Sequence, residues 1–508
     1  MPPLSTELEQ PEPPIGVWKD ERRTKLGTAW LARVSPAWFA FHSGGGQDGR
    51  WIPGEHLLLL SKLLADLAAG RITRLIVSMP PRHGKSWMVS SSFVPWFLGL
   101  KRDAKVILVS YSESLAVDNS RMAREAVREH GPAVFGITAP ARGDLSWRTY
   151  DSETGAACGS HVLAAGVGTG IQGKGADLIA IDDPLRGVRA AMSAPQRDAL
   201  WQYWDADLVP RLNRADGRVL IVTTRWHADD LVGRLLKQDA AGNGEGWTVL
   251  NLPALATTAG PDALGRGIDE PLWPEVHSRK ALEGIRQKRG TWVWWALYQG
   301  QPRPIGGGLF KRRWVRWARW IVPRRSLTFR QNEGGRWTRW EVSELTAWAT
   351  VDLALTEDAT EKADATVVSV WLQHPLDPQR RIVLAHVYLA RVEGPEIVPL
   401  LKRATREWRL SCLWVEAVQF QKLIVQEARR EGLPVRPYHP KGDKVARALP
   451  ATGAVEAGEV VVMADQAWSE GFVQELEEFN KGKHDDQVDT LTCAVAVRDV
   501  AAGEDHEP

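Results

Sequence analysis

The chain is predicted to fold as two consecutive α/β units. Three observations carry that expectation. Apolar runs of strand length recur in both halves with helix-compatible segments between them, a phosphate-loop pattern follows the first run, and acidic residues stand at the ends of later runs. At 508 residues, the chain is long enough to bury at least two independent cores.

Residues 1–49 read as an arm and a preface. Met1 to Gly16 carries prolines and acids instead of a basic start and an apolar core, which argues against a secretory signal; Pro2 to about Arg22 reads as a loose arm, and Lys25 to Phe41 is aromatic and apolar enough to pack. Residues 50–245 read as the first α/β domain. Its strands are Ile72 to Ser78, Val106 to Ser110, and the runs ending at Asp182 and near Thr224.

Across 246–340, prolines, glycines and charged aromatics interrupt any period, so this stretch is read as a connecting region or a subdomain of the first unit. Gln301 to Gly308 is its strongest linker candidate. The basic, aromatic run Lys311 to Trp317 suits either DNA contact or a seam in which cationic stems cover aromatic surface. Residues 341–500 form the second α/β unit. Ala347 to Asp352, Ala365 to Leu372, Arg381 to Val387 and Ser411 to Val415 are its strands, and a helix starts near His484; residues 501–508 are an acidic tail.

Composition narrows the class of function. The net charge of +2, from 64 basic and 62 acidic residues, excludes a uniformly basic coat while leaving room for local DNA-binding faces. Three cysteines, Cys158, Cys412 and Cys493, provide neither a disulfide framework nor a close metal-binding pair, which favours a reducing, intracellular setting. The run Phe93 to Leu100 is too short to cross a membrane, so no membrane partner is expected. The 25 tryptophans are assigned mainly to cores and seams.

The first chemical motif is Met79-Pro80-Pro81-Arg82-His83-Gly84-Lys85-Ser86. Gly84 lets the backbone approach a phosphate, Lys85 neutralises terminal phosphates, and Ser86 at the helix start can ligate Mg2+. The strict pattern has glycine where Met79 stands. Pro81, Arg82, His83, Gly84, Lys85, Ser86 and Asp182 are the candidate nucleotide-binding residues, with Ser86 and Asp182 on the metal and Asp183 orienting or deprotonating the attacking water. Thr224 is placed to sense the phosphate and Arg225 to transmit its loss. Arg82 is the near candidate for a transition-state cation, and Arg121 and Arg148 are candidates to act on a neighbouring subunit.

The second constellation is Asp352, Glu416 and Asp486, with Asp489 in support. Asp352 and Glu416 follow strand runs, and Asp486 and Asp489 are three residues apart on one helix face, so folding can gather them around two divalent ions. Asp364, His484, Asp485, Lys441 and Lys444 are secondary candidates, as ligands or as DNA contacts.

On the Pro-Pro-Arg-His-Gly-Lys-Ser loop, the Ile-Asp-Asp-Pro element at 181–184, the Thr-Arg-Trp-His segment at 224–227 and the spaced acids through Asp489, the chain resembles the large terminase subunit of tailed double-stranded DNA bacteriophages. The resemblance spans most of residues 50–500. It implies an N-terminal ASCE/RecA-like P-loop ATPase and a C-terminal RNase H-like nuclease, with ATP, Mg2+ and, in the nuclease, Mg2+ or Mn2+. It further implies double-stranded DNA, a portal protein, a small terminase subunit and a ring, commonly a pentamer, as partners. The setting would be the infected host cytoplasm, docked transiently on a procapsid and absent from the mature virion. Asp183 stands where many family members carry glutamate. Two other readings fit the same motifs: an ATP-dependent repair helicase-nuclease, and a nucleotide-regulated DNA-binding scaffold.

Overall fold

The computed structural model describes residues 29–44, 52–257, 262–302, 309–330, 335–353, 365–392, 394–416, 421–440, 444–479 and 485–501. The chain divides into two compact units, Met1–Gly284 with Trp292–Pro304, and Ile285–Thr291 with Ile305–Pro508.

The first unit is built on a seven-stranded sheet. Its order is Ser146–Trp147, His161–Gly166, Lys105–Ser110, Leu178–Asp182, Arg218–Thr223, Arg74–Ser78, Thr248–Asn251, parallel throughout except at Ser146–Trp147. Its central strands read as continuous apolar runs because both faces are covered. Leu75, Val77, Val106, Leu108, Leu178 and Ala180 pack with Leu60, Leu64, Phe93 and Phe97 on one side. Ile76, Ile107, Val109, Ile179, Val219 and Ile221 pack with Trp204, Leu231 and Leu235 on the other. Because successive strand residues point to opposite faces, each run feeds both cores. One strand, Arg218–Thr223, lies between the strand that precedes the phosphate loop and the strand that ends in Asp182. That interposed strand is the ASCE, RecA-like arrangement. The sheet's edge strand, Thr248–Asn251, lies in the stretch where the sequence shows no clear period.

The second unit holds a nine-stranded sheet. Its order is Trp337–Glu341, Ser326–Arg330, Arg316–Val322, Val460–Met463, Ile382–Ala390, Thr366–Gln373, Thr346–Asp352, Leu413–Glu416, Val435–Tyr438. Three successive strands, Thr346–Asp352, Thr366–Gln373 and Ile382–Ala390, form an antiparallel meander, after which Leu413–Glu416 and Val435–Tyr438 add in parallel beside the first. This is the RNase H-like core. The helix Asp486–Ala501 packs on its first two strands, held by buried polar links. Thr350 Oγ1 donates to Thr490 O (2.9 Å), Trp371 Nε1 donates to Thr350 Oγ1 (2.9 Å), and the Ser369 and Thr490 hydroxyls lie 2.7 Å apart.

Three strands, Arg316–Val322, Ser326–Arg330 and Trp337–Glu341, arise where the sequence shows no regular period. Leu327 and Phe329 do alternate inward, but Ile321, Val322 and Trp337 are exposed and mask the two-residue pattern. Tryptophans Trp96, Trp294, Trp348 and Trp371 are fully buried, in line with a core role, whereas Trp30 and Trp337 are exposed. Among the described residues no helix is long and apolar enough to cross a membrane.

Candidate functional sites

In the first unit the strand Arg74–Ser78 runs into the phosphate loop, and the chain re-enters helix at Lys85, continuing through a π-helical stretch Met88–Phe93 to Leu100. Arg82 (φ 64°) and Gly84 (φ 82°) both take left-handed backbone. Gly84 does so without a Cβ penalty; Arg82 needs support, and the structure supplies it. His277 Nε2 donates to Arg82 O (3.2 Å), and His56 Nε2 donates to His83 O (3.1 Å). The His83 ring stacks on His277, with centroids 4.4 Å apart. Burial above all holds His83 down to about 3 and His56 to about 4, so these rings brace the loop as neutral groups.

A cleft of about 470 Å³ opens over this loop, lined by Pro81, Arg82, Gly84, Lys85, Ser86, Trp87, Tyr111, Asp183, Leu185, Gly187, Thr224 and Trp226. Lys85 Nζ meets Asp183 at 2.9 Å. Ser86 Oγ donates to Asp182 Oδ1 (3.0 Å), and Asn119 Nδ2 donates to Asp182 Oδ2 (3.2 Å). Burial, then Asp183, push Asp182 up to about 6. Asp183 (φ 44°) accepts from the backbone N–H of Thr224 at 2.7 Å. A lysine, a hydroxyl and two carboxylates thus converge at the mouth of a loop that presents backbone N–H groups, the donor set that a Mg2+-nucleotide needs.

The remaining candidates of this unit sit elsewhere. Arg225 does not line the cleft; it is buried against Asp230, 2.8 Å away, which is the local ion-pair role. Arg121 is exposed and pairs with Asp118 and Asp144, and Arg148 is exposed as well. Asn119, His56 and His277 were not legible as site residues. Each is a single polar residue in a helix or loop, and only the fold brings it to the phosphate loop or to Asp182.

In the second unit, Asp352 and Glu416 each end a strand, and the parallel register Val351↔Val415 puts them side by side. Asp486 and Asp489 lie in the first turn of the helix that packs on the Asp352 strand and its neighbour Thr366–Gln373. Burial first, then Asp489, Glu416 and Asp486, push Asp352 up to about 8. Burial likewise raises Glu416 and Asp489.

Two cations reach into this cluster from the helix Lys444–Glu456. Arg447 bridges Glu416 (3.2 Å) and Asp489 (3.3 Å), and Lys444 bridges Asp485 (2.7 Å) and Asp489 (3.4 Å). Carboxylate oxygens suit a hard divalent cation such as Mg2+. As the side chains stand, however, no three of the described acids, histidines or cysteines are arranged to hold a metal ion. Arg447 escaped the sequence reading because an isolated arginine in a helix carries no signal of its own. Asp364, His484 and Lys441 lie outside the described residues, as does part of the Gln301 to Gly308 linker. In the Lys311 to Trp317 run, Lys311 lies over the Trp314 ring (5.0 Å) and Arg312 pairs with Glu470, so cationic stems do cover aromatic surface there.

Fold and sites together define a chain in which a P-loop, ASCE-type unit is joined to an RNase H-like unit. Residues 349–497 match the family model of the terminase RNaseH-like domain. The matched stretch lies within the second unit, which follows a P-loop unit in the order that the resemblance to large terminase subunits implied. No curated protein sequence matches the chain. Among solved structures, the chain is similar to the large terminase of a thermophilic bacteriophage in complex with ADP, at 11% identity and a TM-score of 0.47, covering 85% of this chain and 98% of that one. It is also similar to the large terminase of bacteriophage HK97, at 12% identity and a TM-score of 0.33, covering 82% and 87%. The large terminase nuclease of the thermophilic phage G20c with bound magnesium is similar at 16% identity and a TM-score of 0.27, covering 38% and 98%.

Proposed function

We propose that the chain is a large terminase subunit: an ATP-driven motor that moves double-stranded DNA through a portal into a procapsid and cuts concatemeric DNA with a metal-dependent endonuclease. The observation that carries this reading is the presence in one chain of a braced phosphate loop facing Asp182 and Asp183, and a terminase-family unit whose acids stand at adjacent strand ends.

In the first site Lys85 holds the terminal phosphates, Ser86 and Asp182 hold Mg2+, and Asp183 positions the attacking water once Lys85 has turned to the nucleotide. Asn119 keeps the Asp182 carboxylate aimed at the cleft. Thr224, tied to Asp183 through its backbone N–H, is placed to register loss of the phosphate. In the second site Asp352, Glu416, Asp486 and Asp489 provide the carboxylates. Divalent ions bound there, Mg2+ or Mn2+, would activate water and stabilise the leaving oxygen. A motor must grip every sequence it passes, so its DNA contacts should be mainly to the backbone. A portal protein, a small terminase subunit and a ring of copies, taken as a pentamer, complete the proposed machine. It would work in the host cytoplasm while docked on the procapsid.

The test is a parallel ATPase and plasmid-cleavage assay on wild type, Lys85→Ala and Asp352→Ala with DNA and Mg2+ or Mn2+. Loss of hydrolysis alone in the first variant and of cleavage alone in the second is expected. Unchanged activity in both variants would overturn the assignments.

A further inference from the structure

We propose that Arg447, with Lys444 beside it, is an internal counter-ion of the nuclease carboxylates that a divalent metal ion must displace on binding. The inference rests on the metal-dependent nuclease reading and goes beyond it, because it assigns to two residues of one helix control over metal loading.

The geometry carries the argument. Arg447 is nine-tenths buried, and its guanidinium nitrogens reach two different carboxylates, Glu416 at 3.2 Å and Asp489 at 3.3 Å. Charge-assisted N–H···O contacts made for strength close to about 2.7–2.9 Å, often with both nitrogens on one carboxylate. Here the fork is split between two acids at longer range, which is how a cation held by a surrounding field sits, and it leaves the pairs easy to exchange. The Arg447 Nε is buried and has no hydrogen-bond partner among the described residues, so part of the guanidinium's donor capacity is unspent in this arrangement.

Lys444, three residues earlier on the same helix, holds Asp485 at 2.7 Å and shares Asp489 at 3.4 Å. Asp489 is thus claimed by both cations. Residues three apart in a helix share a face, so one small movement of the helix Lys444–Glu456 withdraws both. With the cations in place, no three of the described acids are arranged to hold an ion. Withdrawing them strips Glu416 and Asp489 of their counter-charge beside Asp352, the condition under which a divalent cation binds most strongly.

The experiment is calorimetric titration of Mn2+, without DNA, into the full-length wild type and the Arg447→Gln, Arg447→Lys and Lys444→Gln variants. Thermal melts in chelator and in excess Mn2+ are run alongside. Arg447→Gln should bind Mn2+ about tenfold or more tightly, melt lower than wild type in chelator, and recover most of that loss with Mn2+. Arg447→Lys should stay near wild type, and Lys444→Gln should shift affinity in the same direction by a smaller factor. If Arg447→Gln does not fold, Lys444→Gln alone decides the sign. Equal or weaker Mn2+ affinity in the variants that lack a cation, with wild type binding normally, overturns this inference and leaves the nuclease reading standing. Absence of Mn2+ binding in wild type and variants alike overturns both.

Discussion

Replacing Asp352 by asparagine should remove a pH dependence that this one carboxyl imposes on the metal-free second unit. Asp352 ends its strand beside Glu416 and faces Asp489 and Asp486, and burial with these neighbours raises its pKa from 3.8 to about 8. In the unfolded chain the same group titrates near about 4. Between those values the folded state binds a proton that the unfolded state does not. The stabilising contribution is therefore full below the unfolded pKa and is lost as pH rises toward the folded one. One proton of difference corresponds to a slope of at most about 1.4 kcal/mol per pH unit. From pH 5 to 8, wild type should thus lose roughly 2–4 kcal/mol relative to Asp352→Asn, with partial discount for solvent reaching the site. Urea unfolding in chelator at pH 5, 6, 7 and 8, read as the difference between the two proteins, measures it. A difference that is flat with pH, or that grows in favour of wild type as pH rises, would refute the placement of Asp352 among the other acids.

Two further outcomes follow from residues that only the fold singles out. Asn119→Ala removes the amide that holds Asp182 Oδ2, and should lower the ATPase kcat by roughly 5- to 30-fold, the equivalent of about 1–2 kcal/mol, while KM for ATP changes little. An unchanged kcat in a steady-state ATPase assay would show that Asp182 needs no such support. Thr350→Val leaves the buried Trp371 Nε1–H without an acceptor and breaks the tie to Thr490 O, so the second unit should lose about 1–3 kcal/mol in urea unfolding. Since Thr490 lies in the same helix as Asp486 and Asp489, DNA cleavage should fall with it; wild-type stability would mean the link carries no load.

The sequence alone determined the elements whose chemistry is local. A phosphate loop is a contiguous device: strand, turn with left-handed residues, helix start. Met79 to Ser86 could therefore be recognised despite the missing glycine, and the chain does turn back at Arg82 and Gly84. Buried parallel strands announce themselves as short apolar runs, and Asp182, Asp352 and Glu416 were readable because each ends one. The strands between Arg316 and Glu341 were not, because exposed Ile321, Val322 and Trp337 erase their alternation.

Only the tertiary structure decided which distant residues meet. The parallel register sets Glu416 beside Asp352 across 64 positions of chain. Helix packing brings Asn119 to Asp182 and His56 to the phosphate loop, and a bend in the chain brings His277 there. The fold also puts Arg447, which no sequence motif singled out, among the nuclease acids. The physical reason is the range of the interactions. Backbone conformation and hydrophobic period are imposed by near neighbours in the chain, whereas a carboxylate's field acts on whatever the fold places within a few ångströms, wherever in the sequence it began.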